Sequence, residues 1–265
     1  MNPVVKTMKY LISISVFFIL FSCTPKNSKT EVIEEFNADG TIKSSTPVSN
    51  GLRNGLVKHY NEHGRLISSV EYKDDKREGL YEEFFPQNGK LVLKVIFKND
   101  IQEGPLQQFY QEGMLYRESF YINGRVNGPY TTYWPNGKKR EIVYFNMGKR
   151  LIKSEEFDKE GNQVKNFPEI IIKQTDRIKS ANKYIVEFSL SKPIKNPVFY
   201  TAKPDSIYLP AHMSEITLVN GKPARVFYLL NGQTVKTNIL VIVKYKSDFN
   251  NYIYLSKPLN INISH

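Results

Sequence analysis

The sequence predicts an all-β protein, an elongated antiparallel sheet of β-hairpin repeats over residues 31–164 followed by a β-sandwich over residues 165–265. Three observations carry this. Glycines recur through the first half with a period of about 24 residues. The second half drops that period and becomes a series of short apolar runs punctuated by turn residues. The composition, with 17 Tyr and 16 Phe among 265 residues, suits half-buried strands better than long helices. At 40% hydrophobic and 24% charged residues the chain is globular rather than disordered.

The first element is an address. Lys6 and Lys9 precede an apolar run, Leu11 to Phe21, and the small residue Ser22, the pattern of a secretory signal peptide over residues 1–22. The run is shorter than the roughly 20 residues a bilayer span needs. Leu20-Phe21-Ser22-Cys23 resembles the bacterial lipobox, which implies that Cys23 becomes the lipidated first residue of the mature protein. Cys23 is the only cysteine, so neither a disulfide framework nor a cysteine zinc site is available. Residues 23–30 follow as a polar tether. Met8 is a second candidate start. The expected location is the bacterial cell envelope, lipid-anchored, at the outer membrane with the periplasmic face favoured.

The repeats come next. Gly40, Gly64, Gly89, Gly113, Gly137 and Gly161 stand 24, 25, 24, 24 and 24 residues apart, and Gly55, Gly79, Gly104 and Gly128 keep the same period. Five residues after each of the second series comes an aromatic: Tyr60, Phe84, Phe109 and Tyr133. Another falls eight after each turn glycine, at Tyr72, Phe97, Tyr121 and Phe145. Each cycle reads as two strands joined by a turn such as Asn61-Glu-His-Gly64 or Pro135-Asn-Gly137, where Asn and Gly tolerate positive φ. Stretches such as Lys73–Glu78 and Asn123–Asn127 are expected as polar connections between hairpins. The end cycles decay: Ile152 stands where a glycine is due, as in capping repeats.

Gly55-Leu-Val-Lys-His-Tyr60, Gly79-Leu-Tyr-Glu-Glu-Phe84, Gly104-Pro-Leu-Gln-Gln-Phe-Tyr110 and Gly128-Pro-Tyr-Thr-Thr-Tyr-Trp134 resemble MORN repeats. The likeness is closest to the bacterial MORN-repeat variant with Asn-Gly turns followed by Lys or Arg, some of whose members are labelled antitoxin-like, and it covers residues 31–163. It implies an elongated antiparallel β-structure acting as an interaction or tethering module, with no catalytic residues.

After the linker Asn166-Phe167-Pro168, seven apolar runs follow: 169–174, 183–190, 197–201, 215–219, 224–230, 238–245 and 252–255, with Asn220-Gly221 and Asn231-Gly232 as turns. Seven short strands in about 100 residues predict an immunoglobulin-like sandwich architecture. Of the net charge, residues 24–164 carry 21 basic and 20 acidic side chains, hence +1, and residues 165–265 carry 14 and 6, hence +8. The ordinary meaning of the excess is a solvated lysine surface; the functional one is attraction to an anionic glycan, an anionic lipid or an acidic protein. Nucleic acid is excluded as a partner by the signal peptide.

Catalytic patterns are missing from the sequence. His59 and His63 lack the intervening Glu of a metalloprotease motif, and no nucleophile elbow, Walker loop or dinucleotide fingerprint occurs. Glu82-Glu83 and Glu155-Glu156 are adjacent on strands, so their side chains face opposite ways. No enzyme, metal or cofactor is expected. The candidate binding residues are Phe85, Tyr110 and Trp134, each following the core aromatic of its repeat and placed outward by strand alternation. The expected function is therefore a non-catalytic, protein-binding envelope lipoprotein, with a glycan- or wall-binding module as the rival.

Overall fold

The computed structural model describes residues 30–204, 207–209 and 212–265. Residues 1–29, with the expected signal peptide, Cys23 and most of the tether, lie outside the described residues. Nearly everything described is strand; the one helix among the described residues is the single turn Ile178–Ala181.

Residues 30–156 form one antiparallel meander of 13 strands among the described residues, in which the two-residue strands Leu52–Arg53 and Arg125–Val126 each pair only with the strand before them. Eleven of them lie along the path from Thr30–Phe36 to Lys149–Glu156. Ten strand spacings make a sheet about 48 Å across, from the usual separation of roughly 4.8 Å. The stretches expected as polar connections are instead strand ends around two-residue turns. Lys76-Arg77-Glu78 opens the strand Lys76–Phe84, and the turns at Asp74-Asp75, Asn99-Asp100, Asn123-Gly124 and Met147-Gly148 have positive φ at both positions. That geometry matches the right-handed strand twist, which is why tight hairpins select it.

What seals one repeat to the next is a set of contacts repeated about every 23 residues. The Arg53 amide and Nε both donate to Asp75 Oδ1 at 2.9 Å, and Arg77 does the same to Asp100 at 3.0 Å. Each guanidinium also lies 4.0 Å over the ring of the intervening strand, Tyr72 or Phe97. At the opposite end of the sheet Asn88 Nδ2 donates to the Gln111 carbonyl, and Asn136 Nδ2 to that of Lys159. Asn88 and Asn136 thus each shape their own turn and grip the next. Such nearest-neighbour sealing lets a single-layer repeat sheet hold together.

The sandwich consists of an outer sheet, in the order Ile170–Arg177, Lys183–Leu190, Lys222–Tyr228, Leu218–Val219, and a joint sheet, in the order Ser214–Glu215, Val198–Ala202, Thr234–Lys246, Tyr252–Ser264. Ile170, Val186 and Phe188 of the first share a core with Phe199, Val241, Val243 and Ile261 of the second. The last two strands are 13 residues each, paired from Thr234↔Ser264 to Lys246↔Tyr252. The final one runs well past Leu255, where sequence alone ends it. Pro258 lies within it, as an edge strand allows, and Lys257 Nζ donates to the Ile170 carbonyl at 2.9 Å.

Candidate functional site

The three candidate aromatics stand one repeat apart at the turn end of the sheet, all half-buried. Each opens its turn in the same way, its amide donating to Lys90, Met114 or Lys138 respectively. Their polar atoms are engaged within the sheet. Tyr110 Oη donates to the Tyr133 carbonyl at 2.7 Å, and its ring meets Tyr116 edge-on at 5.0 Å. Burial pushes the Tyr110 phenol up from its ordinary value. Trp134 Nε1 donates to the Phe157 carbonyl at 3.3 Å, the same step of 23 residues. Phe85 takes the corresponding place without a donor. Tyr110 and Trp134 thus each bond to the next repeat.

Trp134 also belongs to the joint with the sandwich. Its ring packs edge-on against Phe249 at 6.0 Å and lies 4.8 Å from the Arg140 guanidinium, whose Nη2 donates to the Phe249 carbonyl at 2.9 Å. Beside it Glu156, 1% exposed, accepts a hydrogen bond from Ser247 Oγ and one from Asn251 Nδ2 at 2.7 Å. Glu141, opposite Glu156 in register, has its carboxyl pushed above the ordinary 4.5 chiefly by burial, against the nearby Arg150. Burial, then the charge of Glu156, pushes the Tyr245 phenol up to about 12.

Ile152, the residue that replaced a repeat glycine, is 7% exposed and packs on Leu240 and Ile242. Arg150 stacks at 4.6 Å on Tyr254. A bridge from Leu151 to Tyr208 covers the last edge of the repeat sheet. The decayed cycle is thus the docking surface for the second domain.

The sandwich packs on the face carrying Val143, Arg150, Ile152 and Glu156 at the end of the sheet, and leaves the other face free of it. On that other face Leu56, Ile96 and Phe120 are 40%, 37% and 46% exposed. Ile96 sits between Val95 and Phe97, which are 2% and 8% exposed on the covered face, so alternation assigns the two sides. Leu80↔Ile96 and Pro105↔Phe120 are cross-strand partners, and Pro129↔Tyr144 continues the row. The signal was in the sequence: the residue after each strand glycine is Leu56, Leu80, Pro105 and Pro129.

Among the described residues, no cluster of three or more His, Cys, Asp or Glu could hold a metal ion. His265 Nε2 pairs with Asn182 Oδ1 at 2.9 Å, and the remaining histidines stand apart from it.

Three segments, 53–74, 102–123 and 126–147, match the MORN repeat variant family. Each covers one hairpin, from the residue gripping the next turn to the first positive-φ residue of that turn: Asp74, Asn123 or Met147. The hairpin from Lys76 to Lys98 lies outside the matched segments yet makes the same Arg–Asp and ring contacts. No curated protein matches the chain.

Proposed function

We propose that this protein is a non-catalytic scaffold of the bacterial cell envelope, held to the outer membrane by lipid on Cys23 and presenting its repeat sheet to a protein partner. The observation that carries the reading is the apolar row Leu56, Leu80, Ile96, Pro105 and Phe120 on the sheet face opposite the sandwich. Ile96 and Phe120 stay exposed beside half-buried Leu80 and exposed Pro105, with exposed Leu56 set off by its partner Glu71; apolar side chains gathered so, on elements otherwise sealed by polar ladders, are the composition of an interface rather than of a solvated surface. The similarity to MORN repeats supports a binding role. The sandwich docks on the other face at the last hairpin and on the terminal edge, so it does not compete for the open face. The glycan-binding rival is weaker, because Tyr110 and Trp134 already spend their polar atoms inside the sheet.

The test is capture from solubilised envelope with the immobilised full chain at low and high salt, followed by mass spectrometry. A stoichiometric protein that survives high salt and is lost with Ile96→Asp or Phe120→Asp, at unchanged circular dichroism, supports the reading. Retention unaffected by either substitution overturns it. So does recovery of nothing but anionic glycans or lipids that high salt removes, which would move the function to the basic sandwich.

A further inference from the structure

At one end of the sandwich the two sheets part. Strand Lys183–Leu190 is paired with Lys222–Tyr228 only as far as Glu187↔Ala224, so Phe188, Ser189 and Leu190 run on beyond that partner. Facing them are Phe199 of the joint sheet and Ile194 of the connecting loop, and between them opens a cavity of about 400 Å³. Its walls are apolar: Phe188, Leu190, Ile194 and Phe199, with Pro197 and Pro223 at the sides. Its rim is cationic. Lys173, Lys192 and Lys222 surround it against one carboxylate, Glu187, which lies 3.9 Å from Lys222 Nζ. Lys192 Nζ is spent on Asn166. Lys173 lies opposite Glu187 in register and makes no ion pair within 4.0 Å among the described residues.

An apolar concavity with a few convergent polar groups is the usual form of a small-molecule site. Here the charged groups are three lysines against one carboxylate, in the half of the chain that carries +8. We propose that this cavity binds a medium-chain fatty acid, the chain on Phe188, Leu190, Ile194 and Phe199 and the carboxylate at Lys173, a rim lysine without an ion pair. The volume stands near the lower end of the roughly 300–1,000 Å³ typical of such sites, which suits one chain and not the two of a phospholipid. A neutral amphiphile would leave Lys173 uncompensated, and a small hydrophilic acid would leave the apolar wall wet. The site is independent of the repeat face, so its failure would not touch the scaffold reading.

The experiment is photo-labelling of the full chain with a diazirine-bearing decanoic acid, with adducts mapped by mass spectrometry. Adducts are expected within residues 188–199 and at 222–223. Octanoate should need roughly 15 times the concentration of decanoate to compete, since each buried methylene changes affinity about fourfold. Decanol should compete at least tenfold more weakly than decanoate. Ile194→Trp, which fills the cavity from a half-buried loop position, should abolish labelling there without changing thermal unfolding. Lys173→Glu with Lys222→Glu should reduce it at least tenfold. Adducts confined to other segments, equal competition by decanol, or labelling indifferent to Ile194→Trp would each overturn the assignment.

Discussion

Replacing Trp134 by alanine separates a structural role for this ring from a role in contacting a partner. Truncating a fully buried aromatic costs about 3–5 kcal/mol; Trp134 is half-buried, so burial accounts for about 2 kcal/mol. The edge-on contact with Phe249 at 6.0 Å adds about 0.5–1 kcal/mol. The Arg140 guanidinium at 4.8 Å adds about 0.5 kcal/mol. The hydrogen bond to the Phe157 carbonyl is long at 3.3 Å and is counted as nothing. Trp134→Ala is therefore expected to cost about 3 kcal/mol, which for a chain of this size lowers Tm by roughly 6–12 °C. Trp134→Phe should lose about 1 kcal/mol. In a double-mutant cycle with Phe249→Ala, measured by thermal unfolding followed by circular dichroism, the coupling should be about 0.5–1 kcal/mol. Trp134 is the only tryptophan, so Phe249→Ala alone should also red-shift the emission by admitting water to the ring. A Tm within about 2 °C of the parent together with no coupling would refute the argument. It would return Trp134 to the list of residues free to contact a partner.

Three further outcomes follow from other contacts. Gly79 has φ +115°, and a Cβ there would lie 1.9 Å from Glu71 Oε2. Gly79→Ala should therefore cost about 1–3 kcal/mol in urea unfolding; a neutral result would mean that the bulge beside Glu71 can relax. The Asp75 and Asp100 carboxyls are held below the ordinary 3.8 by the backbone amides and guanidinium groups of Arg53 and Arg77. A depressed pKa contributes stability that is present above pH 3.8 and lost as pH falls through the folded-state value. Asp75→Asn with Asp100→Asn should then flatten the loss of stability below about pH 4, and an unchanged acid limb would contradict the ladder. Glu156→Ala leaves the Asn251 amide, 6% exposed, without its acceptor, at a cost of about 1–3 kcal/mol. Glu156→Gln, which keeps an oxygen there, should cost less.

The features legible in the sequence are those that depend on near neighbours. The period of about 24 residues marks the hairpins because each repeat must meet the next in the same way, so the same residue types return at the same offsets. The Asn-Gly turns were readable because few residues accept positive φ. The run Ile239-Leu-Val-Ile-Val243 is continuous rather than alternating, and the structure shows why. Ile239, Val241 and Val243 face the sandwich core while Leu240 and Ile242 face Ile152 of the repeat sheet. The extent of the last strand was not legible, because Pro258 is harmless only on an edge, and edges are defined by what fails to pair.

Sequence by itself determined the all-β class, the hairpin repeat and the position of the charge excess, since local periodicity and composition suffice for these. Tertiary structure decided which face of the repeat sheet is covered and which is open. It did so through Glu156 and Asn251, 95 residues apart, and through Trp134 and Phe249. It also decided that Tyr110 and Trp134 bond to the next repeat and that the sheets part beside Lys173 and Lys222. Contacts between residues so far apart leave no periodic trace in the chain. They arise only when two finished sheets meet and each must satisfy the buried polar and apolar groups of the other.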